Sequence, residues 1–203
     1  ATEQLTREAF WNYYAPGCNE HYLIHTMRSH AQFVAELDVV AVVDGHVVGN
    51  VMYLQSDIEG DDGKVYEVLT LAPLAVHPSY QRQGIARQLV THTLQQARTM
   101  GYRAVILCGD PVLYARWGFV PAEAYGIRTT DDMYLAALQV YELYEGALAT
   151  AQGRYAMNEV YNVDLVAAAE FDKLFPAKEL LTGTATQKRF EEVVAMQRKA
   201  FES

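Results

Sequence analysis

Residues 74–89 join an apolar segment to an amphipathic one through a turn that contains a glycine. The apolar segment ends at Leu74-Ala75-Val76, and the spacing after Gly84 predicts a helix. The first backbone N–H groups of a helix lack intrahelical partners, and the helix dipole adds partial positive charge there. Such a helix start favours a phosphate or pyrophosphate. We therefore predict a diphosphate-binding loop, in which each charged hydrogen bond contributes roughly 1.5–3 kcal/mol.

Small residues in this loop allow the backbone to approach a ligand closely. Side chains larger than those of Gly84 and Ala86 would stand between the amides and the phosphates. Arg82 and Arg87 flank the loop, where each either meets phosphate oxygens or is a solvated surface charge. The spacing Gln-x-x-Gly-x-Ala differs from the Gly-x-x-x-x-Gly-Lys-Ser/Thr loop and lacks the three glycines of the dinucleotide fingerprint.

The loop resembles the acetyl-CoA-binding motif of the GNAT superfamily of N-acetyltransferases, written Gln/Arg-x-x-Gly-x-Gly/Ala. The resemblance implies that pantetheine lies along the preceding strand, where a neighbouring strand splays away and leaves backbone groups free to pair with it. The cofactor-binding residues that it implies are Leu74, Ala75, Val76, Gln81, Arg82, Gln83, Gly84, Ile85, Ala86 and Arg87.

A second stretch, residues 101–121, predicts a strand, a break, a short helix and a further strand. Its Tyr-x-Arg-x-Gly-Phe sequence at residues 114–119 resembles the superfamily element that places a tyrosine hydroxyl near the CoA sulfur. Together with residues 71–76, it resembles the YhbS-like branch of predicted bacterial acetyltransferases, and the resemblance covers residues 35–140. It implies that Tyr114, a phenol with an ordinary pKa of about 10, donates a proton to the departing thiolate. A packed aromatic with no catalytic role is the alternative.

The sequence defines the general base less clearly. Glu67 on the predicted cofactor strand is the first candidate, because superfamily members often carry an acidic residue there; a solvent-facing carboxylate is the alternative. Residues 19–21 lie in the helical region that normally forms a wall of the acceptor site, so Glu20 and His21 are candidate substrate ligands or bases. A water relay without a dedicated base is also open. His21 and His25 share a helix face, but no third ligand accompanies them and we expect no metal.

Composition restricts the class of protein. The 203 residues, 51% hydrophobic and 20% charged, suffice for one or two globular domains. No apolar run approaches the ~20 residues that span a bilayer, and no signal peptide opens the chain. Two cysteines are too few for a disulfide framework, so we expect a cytoplasmic protein without a membrane partner. A net charge of −9 argues against nucleic acid and suits a cationic small-molecule amine.

Apolar spacing predicts helices over residues 4–14 and 21–30, and an Asp44-Gly45 turn predicts a hairpin before a long strand over residues 65–76. This order of elements indicates an α/β (α+β) fold. The resemblance makes it a GNAT-like mixed, mostly antiparallel sheet with helices on both faces. Superfamily chains normally begin with a strand before the first helix, whereas this sequence starts almost inside a helix, so the first strand is either cut off or left out. If it is truly absent, the sheet has an uncovered edge.

We expect residues 1–140 to form the acetyltransferase core and residues 141–203 to form a C-terminal extension packed on it. Within the extension, residues 155–161 are typical of a strand, and residues 164–175 and 186–201 of helices. A role in packing or dimerisation and a contribution to the substrate pocket both remain open.

The resemblance implies direct transfer of an acetyl group from acetyl-CoA to a primary amine within a ternary complex. One alternative is a non-catalytic acyl-CoA-binding or sensing module. Another is a structural domain in which the phosphate loop is empty. The sequence fixes neither the acceptor amine nor the oligomeric state, and a homodimer is one possibility.

Overall fold

A long hairpin lies at the centre of the fold. The computed structural model describes residues 1–201, and within them it contains six α-helices and ten strands. The helices are α1 (Thr2–Phe10), α2 (Glu20–Met27), α3 (Ile85–Thr99), α4 (Pro111–Tyr114), α5 (Leu165–Asp172) and α6 (Ala185–Ala195). The strands are β1 (Val39–Val43), β2 (His46–Gly60), β3 (Val65–Val76), β4 (Ala104–Cys108), β5 (Val120–Pro121), β6 (Ile127–Thr129), β7 (Met133–Leu135), β8 (Leu138–Glu142), β9 (Gly153–Tyr155) and β10 (Gln197–Lys199).

The main sheet has the strand order β5-β8-β4-β3-β2-β9-β6, with β1 also paired to β2. Its pairs are antiparallel except β3 with β4 and β6 with β9. The predicted turn between β1 and β2 is present, and Asp44 and Gly45 both have positive φ. A mostly antiparallel mixed sheet is therefore confirmed.

The two faces of β3 pack against different helices. Leu69 and Leu71 join one apolar cluster with Leu89, Val90 and other residues of α3. On the opposite face, Ala72 joins a cluster with residues of α2. Alternate residues of a strand point to opposite faces, so helices cover both sides of the sheet, as the sequence predicts.

Strands β3 and β4 separate at the point where the site forms. They pair only through Leu69 opposite Val105 and Thr70 opposite Ile106. Beyond Thr70, β4 stays with β8, whereas β3 stays with β2 and carries a register shift opposite Met52. Such a bulge bends a strand and changes the direction of its side chains. A V-shaped opening results between the last residues of β3 and the end of β4.

The segment after residue 140 differs in detail from its predicted pattern. The helix predicted over residues 186–201 is wrong in its second half: α6 ends at Ala195, and β10 pairs with β7. The strand predicted over residues 155–161 is wrong as well, because β9 ends at Tyr155 and residues 159–161 form a 3₁₀ turn. Pairing with β7 overrides the local helical preference of residues 197–199.

The division at residue 140 stays a prediction. Strand β8 runs across that position, and β9 joins the main sheet through β2 and β6. Among residues 1–201, no helix is both long enough and apolar enough to cross a bilayer.

Candidate active site

The loop between β3 and α3 presents a row of unpaired backbone amides. Arg82 and Gly84 have φ of 60° and 86°, which turn the chain sharply before α3. From Arg82 to Arg87, six consecutive N–H groups have no acceptor among the described residues, whereas the amides of Gln81 and Gln88 are bonded within the backbone. Six free donors at the start of a 15-residue helix form a strong anion site.

The space above this loop is open. A Cβ atom at Gly84 would meet only the Gln88 side chain, at 3.9 Å, and the positive φ would strain any larger residue. The Arg82 and Arg87 side chains are exposed. The side chain of Gln81 is used inside the loop, where its Nε2 donates to the Val76 carbonyl at 3.1 Å. The predicted loop residues thus lie together, and their backbone is the part available to a ligand.

The end of β3 continues this open surface. Leu74, Ala75 and Val76 pair with β2 on one side, opposite Val51, Asn50 and Gly49. On the other side β3 has no strand partner beyond Thr70 among the described residues. An unpaired strand edge can pair with an extended ligand through its backbone.

The Tyr114 side chain is held at the other edge of the V-shaped opening. Asp110 begins α4, and its carboxylate accepts the Val112 N–H at 2.9 Å. The Tyr114 ring lies directly on Gly109, where any Cβ would overlap with it. Edge-on contacts to Phe119 and a neighbouring tryptophan, with centroids 5.7 and 5.4 Å away, hold the other sides of the ring.

The Tyr114 hydroxyl has no hydrogen-bond partner among residues 1–201. Burial raises its pKa above the ordinary value, and the neighbouring Tyr13 and Cys108 raise it further. The group therefore stays protonated at neutral pH. It is available as a hydrogen-bond or proton donor.

A group of tyrosines lies near Tyr114 and the end of β4. Cys108, the last residue of β4, is exposed to solvent, and partial burial by its neighbours raises the pKa of its thiol to about 11. Burial also raises the pKa of Tyr161, with smaller contributions from Tyr155, Cys108 and Tyr114. The Tyr155 hydroxyl is bonded to Thr70 at 2.6 Å.

Tyr14 connects this group to α2. Burial raises its pKa, followed by the effects of Tyr114, Tyr13, Glu20 and Cys108. These groups are therefore electrostatic neighbours of one phenol. We call the set of Tyr13, Tyr14, Glu20, Cys108, Tyr114, Tyr155 and Tyr161 the acceptor recess.

Glu20 contributes the carboxylate of the acceptor recess. It is the first residue of α2, and its Oε2 accepts the Asn19 N–H at 3.0 Å. Burial raises the pKa of Glu20, and the backbone hydrogen bonds lower it by less. A raised pKa makes the ionised carboxylate a stronger base than an ordinary glutamate.

The structure does not bring Glu67 to this site. Its exposed carboxylate accepts a hydrogen bond from Gln55, and it raises the pKa of Tyr102, just before β4 begins. Tyr114 follows the opposite end of β4. At about 3.3 Å per residue, Glu67 lies about 23 Å along β3 from Leu74. The structure thus places Glu67 away from this opening, and its role as general base stays a prediction.

The structure also corrects the prediction that His21 binds substrate. The side chain is fully buried, between the rings of Phe171 and Phe175, with centroids 5.5 and 5.2 Å away. Its Nε2 lies 3.1 Å from an Asp172 oxygen, and burial lowers its pKa. Its role is to hold α5 against α2. No group of three or more potential metal ligands occurs among the residues that the structure describes.

Two residues of the C-terminal segment contact this region, and no local sequence pattern predicts either contact. Phe190 of α6 packs on Tyr14 with ring centroids 4.8 Å apart. Arg189 forms an ion pair with Asp110, the residue that begins α4. These residues come together only because α6 docks on the loop after α1. No spacing within either segment indicates the contact.

Comparison with known proteins identifies the family of this chain. The sequence model described as the Acetyltransferase (GNAT) family matches residues 5–119, which include both the amide loop and Tyr114. The chain is 36% identical over 144 residues to the Escherichia coli (strain K12) protein named uncharacterized N-acetyltransferase YhbS, covering 70% of this chain and 83% of that protein. A second E. coli protein, uncharacterized N-acetyltransferase YjhQ, is 33% identical over 86 residues, covering 42% of this chain and 46% of that protein.

Solved structures show the same fold. The crystal structure of E. coli YhbS in complex with CoA superposes with a TM-score of 0.68 at 31% identity, covering 81% of this chain and 89% of that chain. A GNAT acetyltransferase from Brucella melitensis in complex with acetyl-CoA superposes with a TM-score of 0.61 at 26% identity, covering 78% and 88%. This chain therefore belongs to the GNAT family of N-acetyltransferases.

Proposed function

We propose that this enzyme transfers an acetyl group from acetyl-CoA to a primary amine of a small cationic acceptor, by direct attack within a ternary complex. The observation that carries the proposal is the row of six free amides, from Arg82 to Arg87, beside an unpaired strand edge and a half-buried phenol. The related structures with CoA and acetyl-CoA support the same ligand.

The residues present fit acetyl-CoA. The amides at the start of α3 would hold the diphosphate, and the open space over Gly84 admits it. The free edge of β3 from Leu74 to Val76 would pair with the amides of pantetheine. When bound, acetyl-CoA supplies an electrophilic thioester carbonyl and a thiolate leaving group.

Glu20 takes the role that the sequence assigned to Glu67. An alkyl amine is mostly protonated at neutral pH, so it must lose a proton before it attacks. The Glu20 carboxylate lies beside Tyr14 in the acceptor recess and is favourably charged for an ammonium group. We propose that it binds the ammonium and accepts its proton, directly or through water.

Tyr114 completes the reaction at the leaving group. The amine nitrogen forms a bond to the carbonyl carbon, the carbon–sulfur bond breaks, and the sulfur takes the electron pair. The phenol then donates its proton, or a hydrogen bond, to that sulfur. Glu20 takes one proton from the ammonium group before the attack. The nitrogen loses its second proton as the amide forms, and this proton returns to the Tyr114 oxygen through water, so the products are the acetylated amine and the free thiol.

Acceptor-dependent thiol release tests the proposal. The purified chain is incubated with acetyl-CoA and a panel of polyamines, amino acids, aminoglycosides and peptides, with a reaction lacking acceptor as the control. We expect release above the control with at least one cationic amine. Binding of acetyl-CoA by calorimetry without such release would favour the non-catalytic binding module, and absence of both would favour a structural domain.

A further inference from the structure

We infer that α6 is part of the acceptor site: Arg189 positions Tyr114 through Asp110, and Phe190 forms a wall of the acceptor recess. This inference rests on the proposed function and deepens it. It assigns a positioning role and a specificity role to two consecutive residues that lie outside the matched family region of residues 5–119.

The first observation is a bidentate ion pair between Arg189 and Asp110. Arg189 Nε lies 2.8 Å from Asp110 Oδ2, and Arg189 Nη2 lies 3.1 Å from Asp110 Oδ1. This fork fixes the orientation of both groups. The Arg189 hydrogen bond is the largest effect that lowers the pKa of Asp110. The carboxylate therefore stays ionised and in place at neutral pH.

The second observation connects Asp110 to the phenol. The Asp110 carboxylate accepts the Val112 N–H, and its carbonyl oxygen accepts the N–H groups of Leu113 and Tyr114 at 3.0 and 3.2 Å. The whole turn that carries Tyr114 is thus bonded to one residue. A shift of Asp110 would move the hydroxyl relative to the thioester sulfur.

The third observation is the contact of Phe190 with Tyr14 of the acceptor recess. The Phe190 ring is 40% exposed and lies 4.8 Å, centroid to centroid, from Tyr14, which is an electrostatic neighbour of Tyr114. Tyr13 is a neighbour of Asp110 as well, since Asp110 raises its pKa after the larger effect of burial. Arg189 therefore contacts the residue that caps the turn of Tyr114, and Phe190 contacts Tyr14 of the acceptor recess.

Docking of α6 does not depend on Arg189. Thr184 caps the helix in a capping box with Gln187. Both side chains donate to the Asn12 carbonyl, at 3.3 and 3.2 Å, and Gln187 also donates to the Leu181 carbonyl. Removal of the Arg189 guanidinium should leave α6 in place, so an effect on turnover can be separated from an effect on folding.

The test measures three variants: Arg189→Gln, Asp110→Asn and the double variant that combines them. The control variant is Arg154→Gln. The control replaces the arginine of another arginine–aspartate pair of similar exposure, 42% and 34% against 37% and 30%. Arg154 lies on strand β9, and its side chain points to the sheet face opposite that of Tyr155. We expect kcat to fall about tenfold in both single variants, because small displacements of a catalytic group are costly. The double variant should be no worse than either, the Kd of acetyl-CoA should change less than twofold, and Arg189→Lys should recover part of kcat.

Phe190→Ala should change the order of preferred acceptors in the panel while the Kd of acetyl-CoA stays the same. An unchanged kcat in Arg189→Gln, or a fall matched by Arg154→Gln and by the loss in Tm, would overturn the positioning role. An unchanged order of preferred acceptors in Phe190→Ala would contradict the specificity role of Phe190.

A second readout separates this inference from the proposed function. Tyrosine labelled with ¹³C at Cζ reports the surroundings of the phenol without turnover, and Tyr114→Phe assigns its signal. We expect Arg189→Gln and Asp110→Asn to shift the Tyr114 signal and Arg154→Gln to leave it. If the wild type lacks acceptor-dependent release but this pattern holds, the proposed function fails and the positioning contact stands. If the wild type is active but neither variant shifts the Tyr114 signal, the positioning role of Arg189 is wrong and the proposed function stands.

Discussion

The amide loop and the acceptor recess lie on either side of the same opening, but they are built differently. The loop takes six backbone donors from one continuous segment, residues 82–87. The acceptor recess takes side chains from segments that are far apart in sequence, including Tyr14, Cys108 and Tyr161. A backbone site needs only local geometry, whereas a side-chain site needs the whole fold.

This difference explains how specific each site is. Backbone amides recognise a diphosphate whatever their side chains are, so one short motif serves a large family. The acceptor recess changes when any of its side chains is substituted, and these lie in the loop after α1, in α2 and in later segments of the chain. We therefore expect substitutions in the loop to affect the common substrate and substitutions in the recess to affect the acceptor.

The largest effect is expected for Gly84→Glu. The new carboxylate would face the diphosphate, and the φ of 86° would strain the residue. Loss of several charged hydrogen bonds should weaken acetyl-CoA binding by at least about 100-fold, measured by calorimetry. Gly63→Glu is the matched control, because Gly63 has φ of 79° and open space around its Cα. Equal affinities of the two variants for acetyl-CoA would mean that the diphosphate does not bind at this loop.

Tyr114→Phe comes next. Loss of the phenolic proton donor should reduce kcat by about 10², with the KM for acetyl-CoA within twofold. Tyr102→Phe is the control, since Tyr102 also has a raised pKa and packs on the same apolar cluster but lies at the other end of β4. Full activity of Tyr114→Phe would return this residue to a packing role.

Glu20→Gln should have a smaller effect than Tyr114→Phe, and Glu67→Gln is its matched control. We expect kcat/KM for the acceptor to fall about tenfold in Glu20→Gln, because one charged contact to the ammonium is lost. Glu67→Gln should have the activity of the wild type, since Glu67 lies exposed beside Gln55. Steady-state kinetics at constant acetyl-CoA measures both. The reverse result would restore Glu67 as the base.

The features that could be predicted from the sequence are those that depend on local contacts, and the features that could not be predicted depend on contacts between distant segments. The amide loop, the Asp44-Gly45 hairpin and the turn of Tyr114 each follow from a short segment, and the structure contains all three. The position of Glu67 depended on the register of β3 against β4, and that of His21 on the docking of α5. Strand β10 exists only because β7 lies beside it. None of these contacts has a signal within its own segment.

The smallest effect concerns stability and the pH at which it changes. Burial raises the pKa of Glu20 in the folded state. Between the unfolded value, about 4.3, and this raised value, the folded chain binds more protons than the unfolded chain. The free energy of unfolding therefore falls as the pH rises through the raised pKa. Glu20→Gln does not titrate, so its Tm should exceed that of the wild type above the raised pKa, and the difference should shrink in acid.

Asp62→Asn provides the comparison of opposite sign. Hydrogen bonds from Lys64 and Tyr66 hold the pKa of Asp62 at about 2, below the ordinary value. Asp62 therefore stabilises the fold above its unfolded pKa, and this contribution disappears as the pH falls. Thermal unfolding of the three proteins from pH 3 to pH 8 should show opposite trends for the two variants. A Glu20→Gln difference that does not depend on pH would mean that the carboxylate is solvated, and its role as proton acceptor in the acceptor recess would lose its physical basis.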